Sequence, residues 1–355
     1  MPAVSIDTFF ACALMIIVVV SAMAGTSKLL SPYLGNPADE AAGRRYREIA
    51  QHVLINNGKP ENWGQMDETI PKAFGLADPN TYSLYNLDVD KVSRLNSEND
   101  YSLRYADMFT SLGFYDVSIK IEIATIFEIS INLTATFESA TETTYQFEIL
   151  TQKDGSPVQS SLKCYVVAEN YLDATDYAYS NGEHYQNTTL PNSIKGPALL
   201  AVIARSTYNP HAFCFGGYSF AHQSSEPKSL GTYCRLSPLN HTLNARAMDS
   251  NVSLSTAYAF TFYHNSTLAQ LATSNESVVY EIPQFADVSP VMLVATGWNS
   301  TIFFEEWTTY PQIPLHIGAN FADAQTLSDV HVYSYLITIA SVMYRCIISI
   351  GGLET

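Results

Sequence analysis

The sequence predicts an α+β chain: an N-terminal apolar helix and an amphipathic helix, followed by an all-β head of immunoglobulin-like or β-sandwich type. Three observations carry that expectation. An uncharged apolar run extends from Phe9 to Ala24. A stripe of apolar residues at helical spacing follows it, and from Tyr115 onward apolar and polar residues alternate in the manner of strands.

Composition narrows the class before any motif is read. The 355 residues are enough for two ordinary domains or one large one. A formal net charge of −16 argues against recruitment of nucleic acid or an anionic membrane by charge. Only 15% of residues are charged while tyrosine contributes 23, the profile of an extracellular β-rich protein that is polar through hydroxyls and amides.

The apolar run, with Ile6 and Gly25 at its edges, approaches the roughly 17 to 20 residues needed to cross a bilayer. Asp7 stands at its entrance, and no Lys or Arg precedes it. A secretory signal would have a basic n-region and a shorter apolar core. Pro32, Gly35 and Pro37 then break the helix. A second helix begins with Asn36 as cap, Pro37 in the first position, and Asp39 and Glu40 at the positive end. Its apolar stripe is Ala42, Tyr46, Ile49, Ala50 and Val53, opposite Arg44, Arg45, Arg47 and Glu48, and Asn56 to Gly58 supplies the stop.

Residues 58–114 read as a mixed connector, with a buried Trp63 in a turn-rich stretch and a short helix in "LDVDKVSRLN". Asp88 and Asp90 there either cap that helix or ligate calcium, and capping is the commoner role of such a pattern. Beyond residue 115, "DVSIKIEIATIFEISINLTATFE" alternates, and an Asp-Gly turn at 154–155 joins two strands. Further strands read from "PALLAVIARSTY", "TAYAFTFYH", "SPVMLVATGW" and "VYSYLITIASVMYRCIISIGG". The resulting division is a helical segment over 1–57, the connector over 58–114, a β domain over 115–222 with an immunoglobulin-like module near 141–222, and a second sandwich-like domain over 223–355.

Asparagine and cysteine usage both suit an exterior. Sequons begin at Asn132, Asn187, Asn240, Asn251, Asn265, Asn275 and Asn299, and the asparagines before residue 132 are in none. Cys12 lies in the apolar run; Cys164, Cys214, Cys234 and Cys346 are an even number that allows three disulfide pairings or four free thiols. A Cys214–Cys234 bridge would contribute about 3 kcal/mol through loop closure.

The stretch "AVSIDTFFACALMIIVVV" resembles the start of type IV pilins, especially archaeal ones, over about residues 3–57. In that family a basic leader is removed and the mature chain opens with a few residues, an acidic residue and a long apolar helix. Asp7 stands where the family usually has Glu, and Pro32 and Pro37 depart from a single continuous helix. "NNGKPENWG" and "LDVDKVSRLN" resemble segments of archaeal surface proteins, and "DGSPVQSSLKCYVVAEN" is similar to the opening of an immunoglobulin-like adhesin module. The resemblance implies a structural subunit of an extracellular filament, a helical homopolymer of copies of itself, inserted in the membrane before assembly. Asp7, Phe9, Phe10, Leu14 and Ile17 would form the assembly surface, with Asp7 pairing with a neighbour's amino terminus. A monomeric, membrane-anchored adhesin that binds a glycan or other surface ligand through its β head is the alternative.

Orientation fits a removed leader. Lys28, Arg44, Arg45 and Arg47 all follow the run, which by the positive-inside rule places its C-terminal side in the cytoplasm, against the sequons and cysteines. A basic leader ahead of residue 1 resolves the conflict.

Catalytic chemistry is not indicated. "GYSFA" at 217–221 ends in Ala and lacks a strand-to-helix setting, so Ser219 reads as a loop serine rather than a nucleophile. Glu305 and Glu306 are adjacent, so on a strand they face opposite sides. His264 and His331 flank strands, no Cys/His spacing suggests zinc, and neither cofactor, metal nor nucleic-acid partner is expected. At least four of the seven sequon asparagines should carry sugar on a solvent-facing position. Intact-mass measurement of the native protein tests this, and an unmodified polypeptide mass would contradict it.

Overall fold

Short helices, an arginine-centred connector and five β-sheets make up the computed structural model, which describes residues 15–21, 23, 37–224, 226–284, 290–321 and 327–353. The chain is mostly β, with 52% strand and 13% helix. Among the described residues no helix is long and apolar enough to cross a membrane. The α+β expectation of a long apolar helix and an amphipathic helix ahead of an all-β head is therefore corrected to a β-rich fold with short helices. Apolarity alone does not set helix length. Ile16, Ile17, Val18, Val19 and Val20 are helical even though β-branched side chains lose rotamer freedom there, and the described stretch is too short to span a bilayer.

The chain divides into two compact units, residues 1–49 and 50–355. In the first, residues 15–21 are helical and their side chains are exposed. Helix α1 (Pro37–Ile55) begins and ends where its cap and stop signals placed it. In the larger unit its last turns bury Ala50, Val53 and Leu54.

The connector is held by one five-residue helix, α2 (Val89–Ser93). Asp88 caps it, its carboxylate accepting from the amides of Asp90 and Lys91 at 2.9 and 3.0 Å. Capping, rather than calcium ligation, is what the carboxylate does here. Lys91 is fully buried, and its ammonium donates to the carbonyls of Asn57 and Ala77 at 2.9 and 2.8 Å. Arg94, immediately after the helix, is 2% exposed. It donates to the carbonyls of Trp63, Met66 and Thr69 at 2.6, 2.7 and 3.0 Å, and through Nε to Tyr101 at 2.9 Å. Trp63 is buried as expected, its indole N–H on the Gly75 carbonyl at 3.1 Å. A loop with little regular structure thus satisfies its carbonyls on two buried cations. Helix α3 (Tyr105–Leu112) ends at Gly113, which takes the left-handed conformation with φ 74°.

The connector runs into a sheet that gathers distant parts of the chain. It contains β1 (Asn86–Leu87), β2 (Val117–Thr125), β20 (Leu315–Gly318), β21 (Leu327–Ile339) and β22 (Val342–Leu353), in the order β1-β21-β22-β2-β20. Ile119, Ile121 and Ile123 alternate with polar residues and are buried with Cys346, Ile348 and Ile350 of the neighbouring strand.

Two pairs of sheets follow. In the first pair, β3 (Glu128–Glu138), β4 (Glu142–Lys153), β5 (Ser156–Pro157) and β9 (Glu183–Pro191) form one layer, with β4 central. The Asp154–Gly155 turn joins β4 to β5 with φ of 49° and 77°, which the Asp-Gly pair predicts. Facing it are β6 (Ser160–Ala168), β7 (Tyr171–Ala174), β8 (Ala178–Ser180), β10 (Ala198–Ser206) and β11 (Phe213–Phe220). Phe147, Ile149, Val166, Leu200 and Val202 fill the core between these layers.

In the second pair, β12 (Cys234–Leu239), β13 (Thr242–Ala247), β16 (Ala269–Thr273) and β17 (Ser277–Glu281) form one layer. β14 (Val252–Phe260), β15 (Asn265–Thr267), β18 (Val291–Asn299) and β19 (Ile302–Tyr310) form the other. Leu243, Ala257, Leu293 and Phe304 share their core. The two pairs also meet. β10 and β18 are buried along nearly their whole length, on both faces. Tyr165 of β6 stacks on Phe260 of β14 at 4.6 Å and donates from its hydroxyl to the Thr261 carbonyl. Asp90 joins the connector to this body, accepting from the Tyr310 hydroxyl at 2.7 Å and the Asn240 amide at 2.8 Å.

Replacing Arg94 by Met takes the guanidinium away from four carbonyls in a buried setting, of which Trp63 and Met66 keep a backbone amide, and should cost about 3 kcal/mol of stability. Urea unfolding followed by tryptophan fluorescence checks this. Arg104→Met removes only the exposed pair of Arg104 with Asp107 and should leave the midpoint where it was.

Candidate functional site

The outward face of the β3-β4-β9 layer follows from register. Cross-strand partners share a face, so Phe147 and Ile149 inside leave Gln146 and Glu148 outside. Asn132 lies opposite Glu148 from β3, Tyr185 lies opposite it from β9, and Asn187 lies opposite Gln146. The Asn132 amide and the Tyr185 hydroxyl both donate to Glu148, at 3.3 and 3.2 Å. Two sequons therefore stand on one polar face, at its opposite edges.

The remaining sequons are also at the surface. Asn132, Asn187, Asn240, Asn251, Asn265 and Asn275 are exposed, and Asn299 is half-buried. Most asparagines outside sequons are less open, among them Asn99, Asn192, Asn209 and Asn244. Each sequon Asn thus has an approach that a glycosyl group requires.

The two adjacent glutamates go to different places, as strand geometry demands. Glu306 shares its face with Phe304 and accepts from the amides of Gly231 and Tyr233 at 2.6 and 3.0 Å. Glu305 points the other way, toward β11, and is 6% exposed. The hydroxyl of Ser219 faces it there, but neither carboxyl oxygen makes a well-formed hydrogen bond. Burial, and the neighbouring Glu306, hold the Glu305 carboxyl well above the usual carboxylate range. Its protonated form is the one favoured between the two sheets. Ser219 lies within strand β11 rather than at a strand-to-helix turn, and it is half-buried.

A groove of 330 Å³ opens beside Glu306, lined by Asn96, Arg235, Trp307 and Gln312 among others. Its charges are already committed: Glu306 to backbone amides, Arg235 to Asp100 at 3.4 Å. A second cavity of 310 Å³ lies between His241, Val89 and Tyr310. His264 sits in the turn after β14 and His331 on β21.

Cys164, Cys214, Cys234 and Cys346 are buried free thiols, one of the two alternatives that the cysteine count left open. Cys214 belongs to the core of the first sheet pair and Cys234 to that of the second. Burial pushes the Cys164 and Cys346 thiols up to about 12 and Cys214 up to about 11, so all three stay protonated and unreactive. Of the expected assembly residues, Ile17 is helical and 64% exposed; Asp7, Phe9, Phe10 and Leu14 lie outside the described residues, as does Cys12.

No protein-family model matches this chain, and no curated protein matches it significantly.

Glu305→Gln should change the pH dependence of stability. The folded state keeps a proton on Glu305 that the unfolded chain releases at ordinary carboxylate pH, so stability is full below that range and falls as pH rises toward the folded value. The Gln variant should lose this decline above pH 5 and match or exceed the wild type at pH 8, as read from thermal midpoints across a pH series.

Proposed function

We propose that this chain is a structural subunit of an extracellular filament, joined to its neighbours through its apolar N-terminal segment and presenting a glycosylated β body. The observation that carries this reading is the exposure of that segment. Met15, Ile16, Ile17, Val18, Val19 and Val20 follow one another, and each is between 49% and 71% exposed. A contiguous apolar surface of this kind calls for a cover. Lipid supplies it before assembly and the same segment of other copies supplies it afterwards. The resemblance of residues 3–57 to archaeal type IV pilins supports the same conclusion, and the surface sequons support an exterior location.

In this reading Asp7 sits at the edge of a low-dielectric core and needs a cation. No Lys or Arg is near it in sequence, so the amino terminus of an adjacent subunit is the local candidate. Asp7→Asn should leave the protein made, membrane-associated and glycosylated. Losing the pair should cost about 3 kcal/mol per contact, roughly 100-fold in the assembly equilibrium. Negative-stain imaging of cells counts the filaments. Normal filaments from the variant would remove the pairing role, and no filaments from the wild type would favour a monomeric membrane-anchored adhesin.

A further inference from the structure

The positions of the sequons relative to the sheet edges carry one step more. A terminal strand offers a row of unpaired amides and carbonyls to any other strand, including its counterpart in a second copy. In the β3-β4-β9 layer, β4 lies between the terminal strands β3 and β9; Ile129 and Ile131 of β3 pack against β11, and from Leu133 onward a pocket opens between those two strands. Asn132 lies near the middle of β3, and Asn187 is the central residue of β9. In the layer containing β14 and β18, β15 is terminal, and it begins with Asn265. In the layer containing β13 and β17, β16 is terminal, and all five of its residues are exposed. Asn265 precedes β16, and Asn275 sits in the turn that follows it.

The other terminal strands of these two layers, β12 and β19, lie against each other, and neither carries a sequon within it. The three remaining sites lie elsewhere: Asn240 in the turn between β12 and β13, and Asn251 and Asn299 at the ends of the central strands β14 and β18. The Asn132 and Asn187 side chains project from the outer face at its margins, so a hydrated oligosaccharide on either sweeps the space a pairing strand would occupy.

We propose that the glycans on Asn132, Asn187, Asn265 and Asn275 guard the terminal strands β3, β9, β15 and β16 of this protein against strand addition by a second copy. This rests on the glycosylated exterior already proposed. It assigns the glycans to two tasks, edge closure at these four positions and surface hydration at Asn240, Asn251 and Asn299. It also fits the composition of β15 and β16, which carry neither charge nor proline, and of β3 and β9, which keep Glu128, Glu138, Glu183 and Pro191 only at their ends. β16 reads AQLAT, without a charge or a proline, and Leu271 within it is 56% exposed.

The test compares two variants of the full chain in detergent: Asn132→Gln with Asn187→Gln, Asn265→Gln and Asn275→Gln, against Asn240→Gln with Asn251→Gln and Asn299→Gln. Analytical ultracentrifugation should show the first variant self-associating at a concentration roughly tenfold lower than the wild type, with a gain in thioflavin fluorescence, and the second behaving as the wild type. Thr134→Ala with Thr189→Ala, Thr267→Ala and Ser277→Ala removes the same four acceptors and should reproduce the first result, which separates lost sugar from a misfolding Gln substitution. Equal behaviour of the two Asn sets, with wild-type sites shown by mass spectrometry to be occupied, would overturn edge closure alone. Wild-type Asn132, Asn187, Asn265 and Asn275 found bare would overturn it together with the glycosylation on which it rests.

Discussion

Burial of β10 and β18 on both faces is the constraint from which the β body follows. A strand with no solvated side must be apolar throughout, and every backbone group on it must be paired within its own sheet. Both strands come close, their buried Thr296 and Ser206 being hydrogen-bonded to the Thr256 carbonyl and the Asn209 amide, and each is flanked by long antiparallel partners. Placing them back to back makes four layers out of two sandwiches. The two inner layers take the apolar residues. The outer layers are then the only ones free to turn a polar face to water, and the β3-β4-β9 layer does so with threonine, glutamine, glutamate and sequon asparagine. The same dryness inside explains why Glu305 keeps its proton and why the cysteines are inert.

The connector obeys a related rule by different means. Its carbonyls have no ladder to join, so Lys91 and Arg94 supply the donors from one short helix. Asp90 extends that helix to β19 through the Tyr310 hydroxyl, and Ser93 accepts from the Gln312 amide at 3.3 Å. A five-residue helix could not persist alone. Here it persists because its polar side chains are spent on neighbours.

Much of this was legible in the sequence where the signal is local. The ends of α1, the Asp88 cap, the Asp-Gly turn and the buried Trp63 each follow from a few adjacent residues. The continuous apolar stretches PALLAVIA and VMLVAT read as strands for the same reason, and the opposite destinations of Glu305 and Glu306 follow from strand alternation alone. What the sequence concealed is non-local. Nothing in "LDVDKVSRLN" says that Arg94 will reach three carbonyls of residues 63–69. The cysteine count left pairing open, because which core each strand enters depends on sheet order. The apolar run suggested a long helix because apolarity was read as length, whereas its described part, residues 15–21 and 23, is helical but too short to cross a membrane.

Sheet closure has a bearing on when this protein becomes itself. Val117 lies opposite Gly352, and the parallel partner of Leu87 is Ile339. The first strands of the larger unit therefore wait for the last ones. Loop closure over such separations is slow, and a chain emerging from a ribosome or a translocation channel cannot complete it until its final residues are out. Until then β2 presents a bare hydrogen-bonding rim and a row of isoleucines. Any helper that binds extended apolar chain has a target between residues 117 and 125 for as long as that pairing is missing.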